Sequence, residues 1–227
     1  MRLNERQEQI LQKLHQKRRI SVSALASELY VSEMTIRRDL TAMEKAGLLA
    51  RCHGGAVALA DEAHSPIDLR SSFMDAEKKR VAAKAAAYLA DGQTVFLDSS
   101  STAAYLVPYI ARHKNMRIIT NSIRTLLELG EHHLPTILLG GEYFEKDMCT
   151  LGDASPDAMQ FNVDIAFFSC TGLSDDGRLT DHDFAQASIR RQILHHAKKS
   201  VCLMLPSKKG KVFPFTICRL QDTVLCI

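Results

Sequence analysis

A run of hydroxyl and guanidinium side chains near the start of the chain has the types and spacing of a surface that binds nucleic acid: Ser32, Thr35, Arg37 and Arg38. Ser32 precedes a periodic apolar stretch and can cap a helix, whose free N–H groups and positive dipole end would face a phosphate. Arg37 can fork onto a guanine, and Arg38 can clamp the DNA backbone. A lone pair of arginines is more often plain solvated surface, so the surrounding elements decide between these interpretations.

The sequence around this run predicts a three-helix unit with a hairpin wing. Helices are expected over 5–17 and 33–46, and Ser21 or Ser23 can cap a third one between them. Gly47 is placed to end the last helix, and a hairpin follows from 48 to 59. Such a unit lays its last helix in the major groove, with Ser21, Arg51 and His53 as further DNA contacts.

A second group of polar residues has the composition of a site for a phosphorylated sugar. Ser99, Ser100, Ser101 and Thr102 join a predicted strand to a predicted helix that runs to about residue 113, and they present four hydroxyls and several N–H groups. Lys208 can supply a positive charge, and Asp98 can accept sugar hydroxyls. Thr120 and Asn121 follow the next predicted strand and can line the opposite wall. Capping alone can also explain such a serine-rich loop.

The elements that carry this second group alternate between strand and helix from about residue 75 onward. Strands are predicted over 94–98, 116–120, 136–139, 164–169 and 200–205, with helices between them, including one near 154–161 and one over 183–197. This alternation predicts a mostly parallel sheet, whose carboxyl edge is where ligands bind. The expected fold is α/β, with a DNA-binding domain over 1–59, a linker over 60–74 and a sensor domain over 75–227.

Charge and composition fit this division. Residues 1–58 carry a net charge of +4 and the remainder −1, which favours a polyanionic partner for the first domain. No stretch is apolar enough for a membrane helix and no signal peptide is visible, so a cytoplasmic, nucleoid-associated location is expected. The six cysteines form no C-x-x-C pair and mostly lie in apolar runs, which favours buried free thiols.

The first domain closely resembles the DeoR family of bacterial regulators over residues 5–59. The matching positions include Ser21-Val22, Leu25-Ala26, Val31-Ser32, Thr35–Leu40, Gly47-Leu48 and Arg51-x-His53-Gly54-Gly55-Ala56. The resemblance implies a transcription regulator that represses a carbohydrate operon and binds duplex operator DNA as a dimer or tetramer. It also implies that Asp39 orients an arginine rather than contacting DNA.

The resemblance continues more weakly into the second domain, which looks like the ribose-phosphate-isomerase-like sensor of that family. It adds four residues to the effector site: Lys78, Gly140, Gly141 and Gly172. Two departures stand out. Ser100 occupies a position where the family usually has glycine, and Leu205 stands where an aspartate is common.

Other functions are open at this stage. A sugar-phosphate isomerase would need paired carboxylates, and Asp175, Asp176, Asp181 and Asp183 are candidates, although loop carboxylates at the surface are the expected interpretation. A regulator whose sensor no longer binds an effector and a purely architectural DNA-binding protein are further alternatives. Adjacent histidines at 132–133 and 195–196 and the run 181–183 give weak support for a metal. We therefore expect no catalytic residue, metal or cofactor.

Overall fold

The computed structural model describes residues 3–17, 19–52, 54–58, 67–72, 74–152 and 162–227. They form two compact units that divide between Met74 and Asp75. Within the described residues, no helix combines the length and the apolar character that crossing a membrane requires.

The first unit combines helices with a small antiparallel sheet in the strand order β1-β3-β2. Its elements are α1 (Glu5–Lys17), β1 (Arg19–Ser21), α2 (Val22–Glu28), α3 (Glu33–Lys45), β2 (Ala50–Cys52), β3 (Gly55–Val57) and α4 (Ile67–Ser72). The hairpin β2–β3 is the wing. Gly47 adopts a φ of +68° just beyond α3, as predicted for a residue that ends a helix.

The core of the first unit explains why α3 has one apolar face. Ile36, Leu40 and Met43 form the buried stripe of α3, and none of them is exposed. They pack with Leu25 of α2 and Leu14 of α1. Because these contacts fix the rotation of α3, they decide which of its side chains face outward.

The second unit is built on a six-stranded sheet in the order β14-β12-β9-β4-β5-β6, and every neighbouring pair in it is parallel. The sheet strands are β4 (Thr94–Leu97), β5 (Arg117–Thr120), β6 (Thr136–Leu138), β9 (Val163–Phe168), β12 (Ala197–Leu203) and β14 (Val224–Cys226). Four helices accompany them: α5 (Asp75–Ala85), α6 (Val107–Ile110), α7 (Ile123–Glu131) and α8 (Phe184–His196). The predicted fold class is confirmed.

Two smaller sheets accompany the large one and were not predicted. One is the antiparallel hairpin of β7 (Glu142–Phe144) and β8 (Cys149–Leu151). The other joins β10 (Gly172–Leu173), β11 (Arg178–Asp181) and β13 (Phe215–Arg219) in the order β10-β11-β13. These strands are two to five residues long, too short for a clear alternating pattern in the sequence.

The prediction of one helix from residue 102 to about 113 was wrong. The loop after β4 leads into a 3₁₀ turn, Ala103–Leu106, and α6 starts only afterwards with Pro108 near its first position. Proline lacks an N–H and fits the first turn of a helix but not its interior. The loop Ser99–Thr102 is therefore followed by a 3₁₀ turn and a short helix instead of one continuous α-helix. The predicted helix near 154–161 lies outside the described residues.

Candidate functional site

The serines predicted to bind DNA cap two successive helices. Ser32 Oγ accepts a hydrogen bond from the Thr35 amide at 3.2 Å, and the two hydroxyl oxygens lie 2.9 Å apart. Ser21 Oγ accepts from the Ala24 amide at 3.1 Å. Both serines are exposed at their helix starts. Their hydroxyls and the first N–H groups of α2 and α3 can therefore reach a phosphate.

The two arginines of α3 differ in what they bind. Arg37 Nη2 donates to Glu33 Oε2 at 3.1 Å, one turn earlier on the same helix. Arg38 is exposed and forms no hydrogen bond or ion pair with any described residue. Arg38 is thus the α3 arginine whose donors are all available to a ligand.

The wing is tied to α3 through Arg51. Arg51 Nη1 donates to Thr41 Oγ1 at 3.0 Å, and the Arg51 amide donates to Glu44 Oε1 at 3.1 Å. Gly55 allows β3 to approach β1, because a β-carbon there would lie 2.2 Å from the Ile20 carbonyl oxygen. His53, the other predicted wing contact, lies outside the described residues.

Asp39 binds an arginine on another helix. Its Oδ2 accepts from Arg6 Nε of α1 at 2.5 Å, and Asp39 is only 7% exposed. The hydrogen bond with Asp39 raises the pKa of Arg6 above its ordinary value. This ion pair joins α1 to α3. Asp39 therefore binds Arg6, and not Arg37 or Arg38 of its own helix.

In the second unit, the polar residues collect along the carboxyl edge of the sheet. Ser169 follows β9, and its Oγ accepts from Lys208 Nζ at 3.0 Å. Lys208 Nζ also donates to the Cys170 carbonyl at 2.6 Å. Lys208 forms no ion pair within the described part of the chain. With Leu205 in place of an acidic residue nearby, its charge meets only neutral oxygens.

Asp98 directly follows β4, and both of its carboxylate oxygens accept hydrogen bonds from groups of the protein. Its Oδ2 accepts from the Ser169 amide at 3.0 Å and from Arg190 Nε at 2.8 Å, and its Oδ1 accepts from the Ser100 amide at 3.0 Å. Arg190 Nη1 also donates to Asp181 Oδ2 at 2.5 Å. The Arg190 triad, meaning Arg190 with Asp98 and Asp181, is almost entirely buried.

Charge pairing sets the protonation of this triad. Burial alone would raise the pKa of Asp181, but the Arg190 guanidinium and a hydrogen bond from His182 outweigh it and hold that pKa below its ordinary range. Burial would lower the pKa of Arg190, yet the two carboxylates raise it above its ordinary value. The interpretation of Asp181 as a surface loop carboxylate was therefore wrong. It is a buried ion-pair partner.

The loop Ser99–Thr102 divides between structural and available hydroxyls. Ser99 Oγ donates to Gln186 Oε1 at 3.0 Å, and Ser100 Oγ accepts from the Ala103 amide at 3.2 Å. Ser101 and Thr102 hydroxyls form no hydrogen bond within the described residues. Ser100 is not among the residues with positive φ, so the loop adopts its conformation without the glycine usual in the family.

Asn121 has one satisfied and one unsatisfied end. Its Nδ2 donates to the Thr150 carbonyl at 3.2 Å, which fixes the orientation of the amide. Its Oδ1 is buried and has no hydrogen-bond partner among the described residues. The Thr120 hydroxyl already has two partners in the protein, because it donates to the Leu97 carbonyl at 2.7 Å and accepts from the Ser122 amide. Of the two predicted wall residues, Asn121 therefore has the free binding capacity.

The glycines of the predicted site serve close approaches of backbone. A β-carbon on Gly141, whose φ is +136°, would lie 2.6 Å from the Leu151 carbonyl oxygen. One on Gly172 would lie 2.3 Å from the Lys211 carbonyl oxygen, in the segment that carries Lys208. Gly140 has open space around it. Lys78 is buried on α5, which packs against the turn Ala103–Leu106.

The sequence did not predict that residues of α8 would bind the end of β4 and the loop that follows it. Gln186 and Arg190 lie one turn apart on the inward face of α8, together with Ile189 and Ile193. A guanidinium on the apolar side of an amphipathic helix is a readable sign of a buried ion pair. Gln186 reaches Ser99, so α8 supports the loop at two points.

In the described part of the chain, the cysteines are buried or half-buried and are not grouped with other metal-ligating side chains. Among the described residues, no group of three or more His, Cys, Asp or Glu side chains could hold a metal ion. All six cysteines are free, and four of them are buried, at positions 149, 170, 202 and 226. Burial raises the pKa of Cys149 to about 11, so this thiol stays protonated at neutral pH.

Two family models match the chain. One describes a DeoR-like helix-turn-helix domain and matches residues 6–62, and the other describes a DeoR C-terminal sensor domain and matches residues 74–227. Together they cover both units.

Similar proteins include both a repressor and an activator of transcription. The chain is 29% identical to a glycerol-3-phosphate regulon repressor of Escherichia coli, over 93% of this chain and 84% of that protein. It is 32% identical to an L-fucose operon activator of Haemophilus influenzae, over 92% of this chain and 85% of that protein. A D-ribose-5-phosphate isomerase in complex with phospho-erythronic acid has a TM-score of 0.46 at 18% identity, over 60% of this chain and about half of the isomerase (54%). A likeness at that level says nothing about activity.

Proposed function

Since the chain belongs to the DeoR family of transcription regulators, we propose that it binds operator DNA through α3 and the wing and that a phosphorylated sugar bound to the second unit controls this binding. The repressor and the activator among its relatives act on operons for small carbohydrates or their phosphates. We propose repression of such an operon for this chain.

The observation that carries the DNA-binding proposal is the unpaired Arg38 on the exposed side of a capped α3. Ser32 and Thr35 place hydroxyls at the helix start, where phosphate contacts fix the register of a recognition helix. Arg37 and Arg51 are held by Glu33 and Thr41 in the absence of DNA. These exposed contacts are weak enough to exchange for phosphates.

The observation that carries the effector proposal is the uncompensated charge of Lys208. A half-buried ammonium bonded only to neutral oxygens gains most from an anion. The unpaired hydroxyls of Ser101 and Thr102 can complete a phosphate site. The buried Oδ1 of Asn121 is a pure acceptor and calls for a donor, which a sugar hydroxyl supplies and a phosphate dianion does not.

The same edge argues against an isomerase. Enzymatic proton transfer from carbon needs a base whose pKa lies near the working pH. Asp98 and Asp181 are both bound by Arg190, and the pKa of Asp181 lies below its ordinary range. We therefore propose a sensor without turnover. Release of the ketose from ribose 5-phosphate would refute this.

We propose that the chain acts as a dimer or tetramer, because paired winged heads match repeated operator half-sites. A sugar phosphate that binds one conformation more tightly shifts the population toward it, and the affinity for DNA follows. Because operators lie on chromosomal DNA, binding to them implies a cytoplasmic location.

The DNA half is tested by fluorescence anisotropy on a duplex that the protein itself enriches from a random library. Arg38→Ala should weaken binding at least ten-fold. Equal binding by this variant and the wild type would remove α3 from the interface. Arg37→Ala, which loses a guanidinium already paired with Glu33, is the matched comparison and should cost less.

The effector half is tested by thermal unfolding with inorganic phosphate and with a panel of phosphorylated sugars. Lys208→Met should abolish the stabilisation that the best ligand gives the wild type, whereas Lys209→Met, which removes an equal charge from the exposed neighbour, should keep it. If no phosphorylated compound stabilises the wild type, the alternative of a sensor that has lost its effector is correct.

A further inference from the structure

Met34 is a large apolar side chain that stands exposed on α3, the helix proposed to bind DNA. It is 69% exposed, although methionine is ordinarily among the more buried residue types. It follows the capping residue Ser32 by two positions, in the first turn of α3. The buried core of the first unit does not use it.

Helix geometry places Met34 at the middle of the outward face. Successive residues of a helix are rotated by about 100°, so Met34 and Arg38 lie about half a turn away from the buried stripe of α3. Arg37 lies roughly a quarter of a turn to the side, where its guanidinium meets Glu33. The helix therefore presents Met34 and Arg38, four residues apart, as adjacent side chains.

We propose that Met34 is a specificity-determining residue that contacts the C5-methyl group of a thymine in the operator, beside a guanine that Arg38 reads. This inference rests on the proposed DNA binding by α3. The thymine methyl is the one apolar group that base pairs offer in the major groove, and a flexible thioether adapts to it well. This proposal reverses the prediction from the sequence, in which Arg37 reads the guanine and Arg38 binds the backbone, because Arg37 is the arginine that Glu33 binds. Arg37 and Ser32 then remain for the phosphates.

The spacing of the two side chains sets the spacing of the two bases. Four residues of helix advance by about 6 Å, which corresponds to about two base steps of 3.4 Å. The operator half-site should therefore contain a thymine within about two base pairs of a guanine. Replacing one side chain should change only the matching position.

The experiment selects duplexes from two random libraries with the full-length protein, one made with thymine and one with deoxyuridine, which differs only by the missing methyl. Wild-type protein should enrich a thymine within about two base pairs of a guanine, and replacing that single thymine by deoxyuridine in the selected duplex should weaken binding about four-fold. Met34→Ala should bind both duplexes equally while keeping the guanine preference. Met34→Leu, which keeps an apolar side chain, should restore most of the discrimination.

The outcomes separate this inference from the proposed function. If Met34→Ala selects the same thymine and still distinguishes it from deoxyuridine, the role of Met34 is refuted while DNA binding stands. If the wild type enriches no sequence at all, the proposed function itself fails. Met34 is exposed, so thermal unfolding of the variants should match that of the wild type and exclude misfolding as the cause.

Discussion

Replacing Arg190 by glutamine leaves Asp98 and Asp181 buried without the guanidinium that joins them. The two carboxylates are 1% and 3% exposed, and each receives a bond of 2.5–2.8 Å from Arg190. Removing one partner of a buried ion pair costs about 3–5 kcal/mol, because the remaining charge stays buried. For a unit of this size, that loss lowers the unfolding temperature by about 6–20 °C.

The assay is calorimetric unfolding of the full chain, in which the transition of the second unit is followed. Arg191→Gln is the matched control, since it removes the same charge one residue later and loses a bond to the Thr216 carbonyl and a cation–π contact with Phe184, but leaves no buried carboxylate without a partner. It should cost about 1 kcal/mol, or roughly 2–4 °C. If both variants lowered the unfolding temperature equally, the assignment of Arg190 as the residue that joins α8 to Asp98 would be refuted.

The pH dependence gives a second readout of the same triad. In the wild type, Arg190 holds the pKa of Asp181 below its ordinary value, so this contribution to stability is present above about pH 4 and is lost as the pH falls further. In Arg190→Gln, burial without the cation raises the pKa of Asp181 instead. The deficit of the variant should therefore shrink between pH 7 and pH 5. A deficit that stays constant over this range would contradict the explanation.

Four further variants, one of them a control, test the first unit. Gly55→Ala brings a β-carbon to 2.2 Å from a carbonyl oxygen of β1 and should disrupt the wing and DNA binding, whereas Gly54→Ala meets open space and should cost only about 1 kcal/mol for its φ of +78°. Asp39→Asn should destabilise the unit by about 1–2 kcal/mol in urea unfolding through the weakened bond with Arg6, and unchanged stability would mean that this ion pair contributes nothing. Ser32→Ala should lose about 1 kcal/mol of cap energy and also weaken DNA binding, and a loss of stability without any loss of affinity would remove Ser32 from the interface.

The first unit was readable from the sequence because local signals dictate it. The apolar spacing in α1 and α3 specifies which faces are buried, and Ser32 and Gly47 mark the two ends of α3. These signals depend on neighbouring residues only. They did not predict the pairing of Arg37 with Glu33, which distinguishes Arg37 from Arg38.

The candidate effector site was only partly readable, because its members are joined over long sequence distances. The strand ends directed attention to Asp98, Asn121 and Lys208. The partner of Asp98 is 92 residues away on α8, and no local pattern connects the two. Asp98 and Thr120 were expected to face a ligand, but their polar atoms are engaged in the protein.

The most direct test of control by an effector is the operator affinity measured with and without the sugar phosphate that stabilises the wild type. Coupling between the two sites predicts a change in Kd of about 5–150-fold in the wild type, in either direction. Lys208→Met should bind the same operator with the Kd of the unliganded wild type and show no response to the ligand. An operator Kd that does not change while the ligand demonstrably binds the wild type would contradict the account.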